Sequence, residues 1–480
     1  MAGSTIQRSM LSLLLLLQVM LFISGNGVNC LKERDVLLLP ESQIRKPTYT
    51  PRCSSQRSRT EKGATILEMR HHDSSFRITT SWHDKVEMLL SSDESRVKSF
   101  QSQRKKAVSS RTEQISDSEL PLSSGIKLQT LNFVVTIDLG GQNMTVIVDT
   151  GSDLTWVQCQ PCRYCYSQQN PLFSPSLSPT FHSILCNSST CASLQFATGN
   201  LGVCGIDEPN CNYIVNYGDG SYTHGELGLE QLKLGDTAIE GFIFGCGQRN
   251  QGLFGGVSGL MGLGRSQLSV VSQTLANFGG VFSYCLPSEE ENLPGSLILG
   301  TDLSQYKNST PISYTRIVSN PQMPTFYLLN FTGASVGGVP LQAPGFANGV
   351  TLIDSGTVIT RLIPSVYKAL KNEFLKQFTG YPSAPSFSIL DTCFNLSGYR
   401  EVEIPNLKLH FEGGVQVKID VSGMFYFVKR DVSQVCLALA SLSSEDDIGI
   451  IGNYQQKNLR VVYNSKDSEL GFAEEKCHYL

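Results

Sequence analysis

The stretch VIVDTGSDLTWVQC, residues 146–159, drives an apolar, strand-like run into an aspartate and then turns sharply through Thr150-Gly151-Ser152. An aspartate at the end of a Val/Ile run is ordinarily a turn residue, and a turn needs no chemistry. A second copy changes the reading. VIVDTGSDLTW at 146–156 is answered by TLIDSGTVITRL at 351–362. Each copy is followed by an apolar-apolar-Gly element, SGLMGLG at 258–264 and IGIIGNY at 448–454. Asp149 precedes Gly262 by 113 residues and Asp354 precedes Gly452 by 98. Two halves of similar length with the same marks in the same order have the look of a duplicated lobe.

Around these motifs the chain reads as β. From LQTLNFVVTIDLGGQNMTVIVDTGS (128–152) onward, apolar and polar residues alternate, and Gly140-Gly141 marks a hairpin turn between two strands. Only LSVVSQTLANF (268–278) and SVYKALKNEFLKQF (365–378) have helical spacing. In the second, Val366, Leu370, Phe374 and Phe378 recur on one face behind Ser365 as a candidate N-cap.

If the two lobes are related by a pseudo-twofold axis, Asp149 and Asp354 meet at the seam. Like charges at about 3 Å cannot both ionise, so such a pair shares a proton. One carboxylate then serves as base toward a water while the other polarises a carbonyl, and no metal or cofactor is called for. Gly151 and Gly356 allow close backbone approach to the carboxylates. Thr150 and Ser355 offer hydroxyls that can bond across the seam, and Ser152 and Thr357 can donate to the outer carboxylate oxygens.

The rest of the chain points to export. Arg8, the apolar run Leu11–Ile23 and the small, polar Ser24–Gly27 read as a secretory signal over residues 1–27. Of the 14 cysteines, Cys30 and Cys53 lie early and twelve fall between Cys159 and Cys477. CQPCRYC (159–165) resembles a zinc or iron–sulfur spacing, but an exported chain with nine further cysteines downstream favours disulfides. Asn143, Asn187, Asn308, Asn330 and Asn395 head N-x-S/T sequons. The C-terminal GFAEEKCHYL carries no apolar tail, so no lipid anchor is expected there.

Charge divides the chain. Residues 31–118 hold 17 Lys and Arg against 12 Asp and Glu, whereas 119–480 hold 20 against 30. A basic front on an acidic body is expected when one part docks on the other or is removed. Residues 28–119 are read as a propeptide, with RKPTYTPRCSSQRSRTEKG (45–63) disordered or loosely held. SWHDKVEMLLSSDESRVKSFQSQRKKA (81–107) reads as one or two polar helices. A first lobe over 120–315 and a second over 316–480 complete the division.

These motifs resemble those of the pepsin-like aspartic proteases, and more closely the plant nepenthesin-like branch, over residues 128–480. DTGSDLTWVQCQPC, YGDGSYTHGELG (217–228), DSGTVITRL and the twelve cysteines carry the resemblance. It implies a bilobal all-β fold with a central cleft, water-mediated peptide hydrolysis and an acidic optimum, with Asp149 and Asp354 as the catalytic pair. It also implies a flap carrying Tyr217, Gly218, Asp219 and Gly220, with Trp156 bonding the flap tyrosine. The implied disulfides are Cys159–Cys162, Cys165–Cys246, Cys186–Cys211, Cys191–Cys204, Cys285–Cys477 and Cys393–Cys436, although sequence alone does not fix the connectivity. Ser355 departs from the usual threonine but keeps the hydroxyl. With 126 residues after Asp354, the saposin-like insert of typical plant members has no room.

The function expected is a secreted endopeptidase made as a zymogen. Its partners would be protein or peptide substrates and its own propeptide as intramolecular inhibitor, and a monomer is expected. The destination would be the extracellular space (apoplast), with the vacuole as alternative. The rival reading is a catalytically silent inhibitor or binding protein on the same scaffold. Nucleic-acid binding is disfavoured by the net −10 of residues 119–480.

Overall fold

Strands Phe133–Leu139 and Gln142–Asp149 pair antiparallel around the two-residue Gly140-Gly141 turn, as the alternation predicts. The computed structural model describes residues 33–39, 58–61, 63–71, 82–109, 132–204, 209–217, 220–252, 254–288, 294–300 and 309–477. The signal at 1–27, Cys30, Cys53, Gly218, Asp219 and Asn308 lie outside these. Of the other sequons, Asn143 and Asn187 are exposed, while Asn330 and Asn395 are half-buried.

The sequence repeat is a structural one. In the first half, Gly259–Gly262 runs parallel to Gln142–Asp149 and antiparallel to Trp156–Gln158, which itself pairs in parallel with Gly245–Gly247. In the second, Gly449–Ile451 runs parallel to Val350–Ile353 and antiparallel to Thr360–Leu362, itself parallel to Leu439–Ser441. Each aspartate thus ends a strand whose chain loops away and returns, with the downstream glycine element threaded between. Glycine is required there: a Cβ at Gly262 would lie 2.2 Å from the carbonyl oxygen of Asp153, and one at Gly452 would lie 2.4 Å from that of Val358. The fold is bilobal and all-β, with few helices.

One antiparallel sheet joins the halves. Its order is Ala64–His71, Gly295–Leu299, Val281–Cys285, Leu459–Asn464, Glu469–Glu474 and Ser313–Val318. The order is symmetric about the contact between Val281–Cys285 and Leu459–Asn464. Ala64–His71, from the basic front segment, holds the place that Ser313–Val318 holds on the other side. Its Ala64, Ile66, Leu67 and Met69 are buried. Ser58–Glu61 pairs onto its outer edge, so the part of 45–63 that is described is ordered as a strand rather than loose.

The described part of 81–107 lies in a single helix, Trp82–Ser109. Val86, Leu90, Asp93, Val97, Phe100 and Gln101 recur on one face and are buried. Val86 and Leu90 join a cluster with Val358, Ile359 and Tyr426; Val97 and Phe100 join one with Leu328, Leu352 and Ile450. Farther upstream, Arg34–Leu38 pairs antiparallel with Glu401–Pro405 as a two-stranded sheet and buries Leu37.

Two helix expectations are corrected. The 268–278 pattern divides into Val270–Gln273 and Leu275–Phe278 at Thr274, whose backbone turns out of the helical region (φ −107°, ψ 16°) while its hydroxyl joins its N–H on the Val270 carbonyl, at 2.7 Å. The second helix is Pro364–Gln377, capped at Ile363 rather than Ser365. Pro364 takes the first helical position, where its missing N–H costs nothing. Ser365 gives its N–H and hydroxyl to Glu445 at 2.6 and 2.8 Å.

Four of the six expected disulfides are also corrected. The structure pairs Cys159–Cys246, Cys162–Cys165, Cys186–Cys204 and Cys191–Cys211, against the expected Cys159–Cys162, Cys165–Cys246, Cys186–Cys211 and Cys191–Cys204. Register decides the first: Cys159 extends the strand that runs beside Cys246, placing their Cα atoms 5.3 Å apart. Cys162 and Cys165 then lie together on the loop beyond it. The helix Ser189–Thr198 buries Cys191 against Cys211, leaving Cys186 to the more exposed Cys204. Cys285–Cys477 and Cys393–Cys436 are present as expected.

Candidate active site

Asp149 and Asp354 are both buried, each at the mouth of its loop. The two loops are laced together by crossed bonds: the Thr150 N–H donates to the Ser355 hydroxyl at 3.1 Å, and the Ser355 N–H donates to the Thr150 hydroxyl at 3.0 Å. The Ser355 hydroxyl continues to the Val148 carbonyl at 3.0 Å. A serine in the second copy therefore supplies the same bond that a threonine would.

Each carboxylate is held in the same way. Gly151 N–H donates to Asp149 Oδ1 at 2.9 Å and the Ser152 hydroxyl to Oδ2 at 2.9 Å. Gly356 N–H donates to Asp354 Oδ1 at 2.9 Å and the Thr357 hydroxyl to Oδ2 at 2.5 Å. A Cβ at Gly151 would lie 2.6 Å from Asp354 Oδ1, and one at Gly356 would lie 2.4 Å from Asp149 Oδ1. The glycines are what let the carboxylates face each other across the seam.

Between them lies Arg96, from the Trp82–Ser109 helix. Its Nη2 donates to Asp149 Oδ1 at 2.7 Å and to Asp354 Oδ1 at 3.1 Å, and its Nε to Asp354 Oδ2 at 3.0 Å. Both carboxylates therefore converge on one point. Burial raises the pKa of Asp149; Arg96 pulls it down and Asp354 pushes it further up, leaving it above the ordinary value. Burial also works upward on Asp354, but the Arg96 charge and the bonds from Arg96, Thr357 and Gly356 together hold it below. Environments that push two carboxyl groups apart suit them to opposite roles in proton transfer.

Tyr217 begins the tip of the hairpin made by Cys211–Asn216 and Tyr222–Leu234. Trp156 Nε1 donates to its hydroxyl at 2.7 Å, and Phe254 packs edge-on against both rings. Gly220 has φ 81° and its N–H bonds the Tyr217 carbonyl at 3.1 Å, closing the tip. Trp156 is at once fully buried core and the anchor of this tyrosine.

Sequence reasoning did not single out Arg96, Asp93, Glu94 or Arg361. Asp93 accepts from the N–H groups of Val358 and Ile359 at 2.6 and 3.2 Å and from Arg361 Nη2 at 2.9 Å. Glu94 lies 3.4 Å from Arg361. The signal was present as polar residues on or beside the apolar face of the 81–107 helix, where each would need a partner. The ion pairs also run both ways: Glu33–Lys408 at 2.5 Å and Asp35–Lys418 at 2.7 Å reverse the polarity that the net charges imply.

A family model described as xylanase inhibitor N-terminal matches residues 133–301, and its companion, xylanase inhibitor C-terminal, matches 326–474. An aspartyl protease family protein of Arabidopsis thaliana is 40% identical over 486 residues, covering 98% of this chain and 100% of that one. Aspartic proteinase nepenthesin-1 of Nepenthes gracilis is 34% identical over 357 residues, covering 72% of this chain and 78% of that one. Among solved structures, basic 7S globulin from soybean superposes with a TM-score of 0.56 at 20% identity, over 72% of this chain and 91% of that one, a likeness of fold. With the family models spanning most of both lobes and relatives of this closeness, the chain belongs to the plant pepsin-like aspartic proteases.

Proposed function

We propose that this chain is a secreted aspartic endopeptidase made as an inactive precursor. The observation that carries the reading is the convergence of Asp149 and Asp354 on a single point, now filled by Arg96 Nη2. Once the front segment leaves, a water at that point lies within reach of both carboxylates. The ionised carboxylate takes a proton from the water as its oxygen bonds the peptide carbonyl carbon, and the protonated carboxyl gives its proton to the carbonyl oxygen. The resulting diol collapses as a proton passes to the nitrogen and the C–N bond breaks, giving an acid and an amine. Ser152 and Thr357 hold the outer oxygens in place throughout, and Tyr217 closes over the substrate.

In the precursor, Arg96 acts as the plug. Its charge works downward on the pKa of both aspartates, so the plugged pair holds its proton less tightly than the unplugged pair. Falling pH therefore favours release and rising pH favours docking. This supports an acidic optimum and acid activation. The six disulfides among the described residues suit an oxidising compartment, in keeping with export to the apoplast or delivery to the vacuole.

The test is cleavage of a denatured protein between pH 3 and 7 after acid activation, beside pepstatin and an Asp149→Asn variant. Activity at low pH that both abolish is expected. The description of the family models favours one second reading, a protein-binding scaffold without catalysis. A folded, segment-free protein that cleaves nothing would move the conclusion there.

A further inference from the structure

Trp156 and Arg361 hold equivalent places in the two halves. Each lies seven residues after its aspartate, in the short strand that follows the loop. Trp156 pairs with Leu260 and Arg361 with Ile450, each two residues before the closing glycine. In the first half this position reaches the cleft and fixes Tyr217. In the second it reaches two carboxylates of the front segment, Glu94 at 3.4 Å and Asp93 at 2.9 Å.

The buried one is Asp93, and its receptor is complete. Val358 N–H donates to one oxygen at 2.6 Å, while Ile359 N–H and Arg361 Nη2 donate to the other at 3.2 and 2.9 Å. Arg361 is fully buried, and its Nη1 is tied to the Ile359 carbonyl at 2.8 Å, which orients the guanidinium. Two successive amides and a guanidinium aimed at one carboxylate form an anion receptor. Every donor belongs to the loop that starts at Asp354. The occupant belongs to the front segment, beside the plug itself.

We propose that, once the segment has left, Val358, Ile359 and Arg361 form a carboxylate subsite that recognises an acidic side chain of the substrate near the scissile bond. This rests on the proteolytic reading above. Asp93 and Arg96 are three residues apart on one helix, about 4.5 Å of rise. An extended peptide covers that in roughly one or two residues, so the acid lies within about three positions of the cleaved bond. An apolar side chain there leaves buried donors unmatched, and a basic one meets Arg361.

The test uses quenched fluorescent peptides with two large apolar residues at the cleavage point, carrying Glu or Gln at each of three positions on either side. Acid-activated wild type, Arg361→Gln and Arg361→Lys are assayed at about pH 5, above the ~4.3 of a peptide glutamate. At one position Glu should raise kcat/KM about tenfold over Gln. Arg361→Gln should erase that ratio and Arg361→Lys should keep part of it. A folding defect lowers both peptides alike and leaves the ratio unchanged. A ratio near one at every position in the wild type, or one that survives Arg361→Gln, overturns the subsite. If the wild type cuts no peptide, the proteolytic reading fails, and binding of a labelled 82–109 peptide decides the subsite. Weaker binding of its Asp93→Asn form to wild type, but not to Arg361→Gln, supports the receptor, and equal binding to wild type overturns it.

Discussion

Asp153 sits four residues past Asp149, buried, with its carboxylate accepting the Ser266 N–H at 2.7 Å. Burial pushes its pKa up to about 7, against the bonds from Ser266 and Thr325. A raised carboxyl contributes its stability below the unfolded value of ~3.9 and loses it as pH rises through the folded value. Asp153 should therefore contribute a loss of stability on the order of a few kcal/mol between about pH 4 and 7. Asp153→Asn, which keeps the acceptor and cannot ionise, should flatten that loss in thermal melts; an unchanged slope would assign it to other groups. Arg96 sets the complementary behaviour. Arg96→Ala in the full chain should cleave a peptide at pH 5.5 without acid treatment, at least tenfold faster than the wild-type precursor. Equal latency would show that burial of the cleft, rather than the guanidinium, restrains the precursor.

At the scale of elements, the strand–loop–strand units around the aspartates were readable because the chain states them twice. Duplication makes a short, dense motif legible, and Asp149 and Asp354 with their hydroxyl and glycine neighbours stand where the repeat puts them. The helix Trp82–Ser109 was readable as a helix, but its target was not. The partners of Arg96 lie 53 and 258 residues away, and nothing local records that distance. The cysteine-rich insertion failed for a similar reason: strand register and a short helix decide which sulfurs meet, and spacing alone does not carry them. The Ser365 cap failed because Pro364 claimed the first turn. The hairpin carrying Tyr217 permits a direct check. Tyr217→Phe removes the acceptor of the Trp156 N–H and a bond of about 1 kcal/mol. Peptide kcat/KM should fall about tenfold with a shift in Tm of only a few degrees, and an unchanged kcat/KM would separate the tyrosine from turnover.

Across the whole molecule, the two halves meet in one sheet whose six strands from Ala64–His71 to Ser313–Val318 are symmetric about their middle, and one flank of it, Ala64–His71 with Ser58–Glu61 beyond, comes from the front segment. That gives Ala64–His71 a role in the history of the molecule as well as its restraint. On the precursor reading proposed above, a chain that sheds this strand would keep an arrangement it could no longer reach unaided. Its persistence is then a matter of how slowly it unfolds, not of where equilibrium lies. Denatured full-length protein, returned to neutral buffer with its disulfides intact, should recover its native circular dichroism. Protein lacking residues 1–119 should not, unless a peptide spanning 31–118 is supplied; equal recovery would make the strand dispensable. For such a protein, activation is a one-way passage. With the guide gone, a copy that unfolds would have no route back.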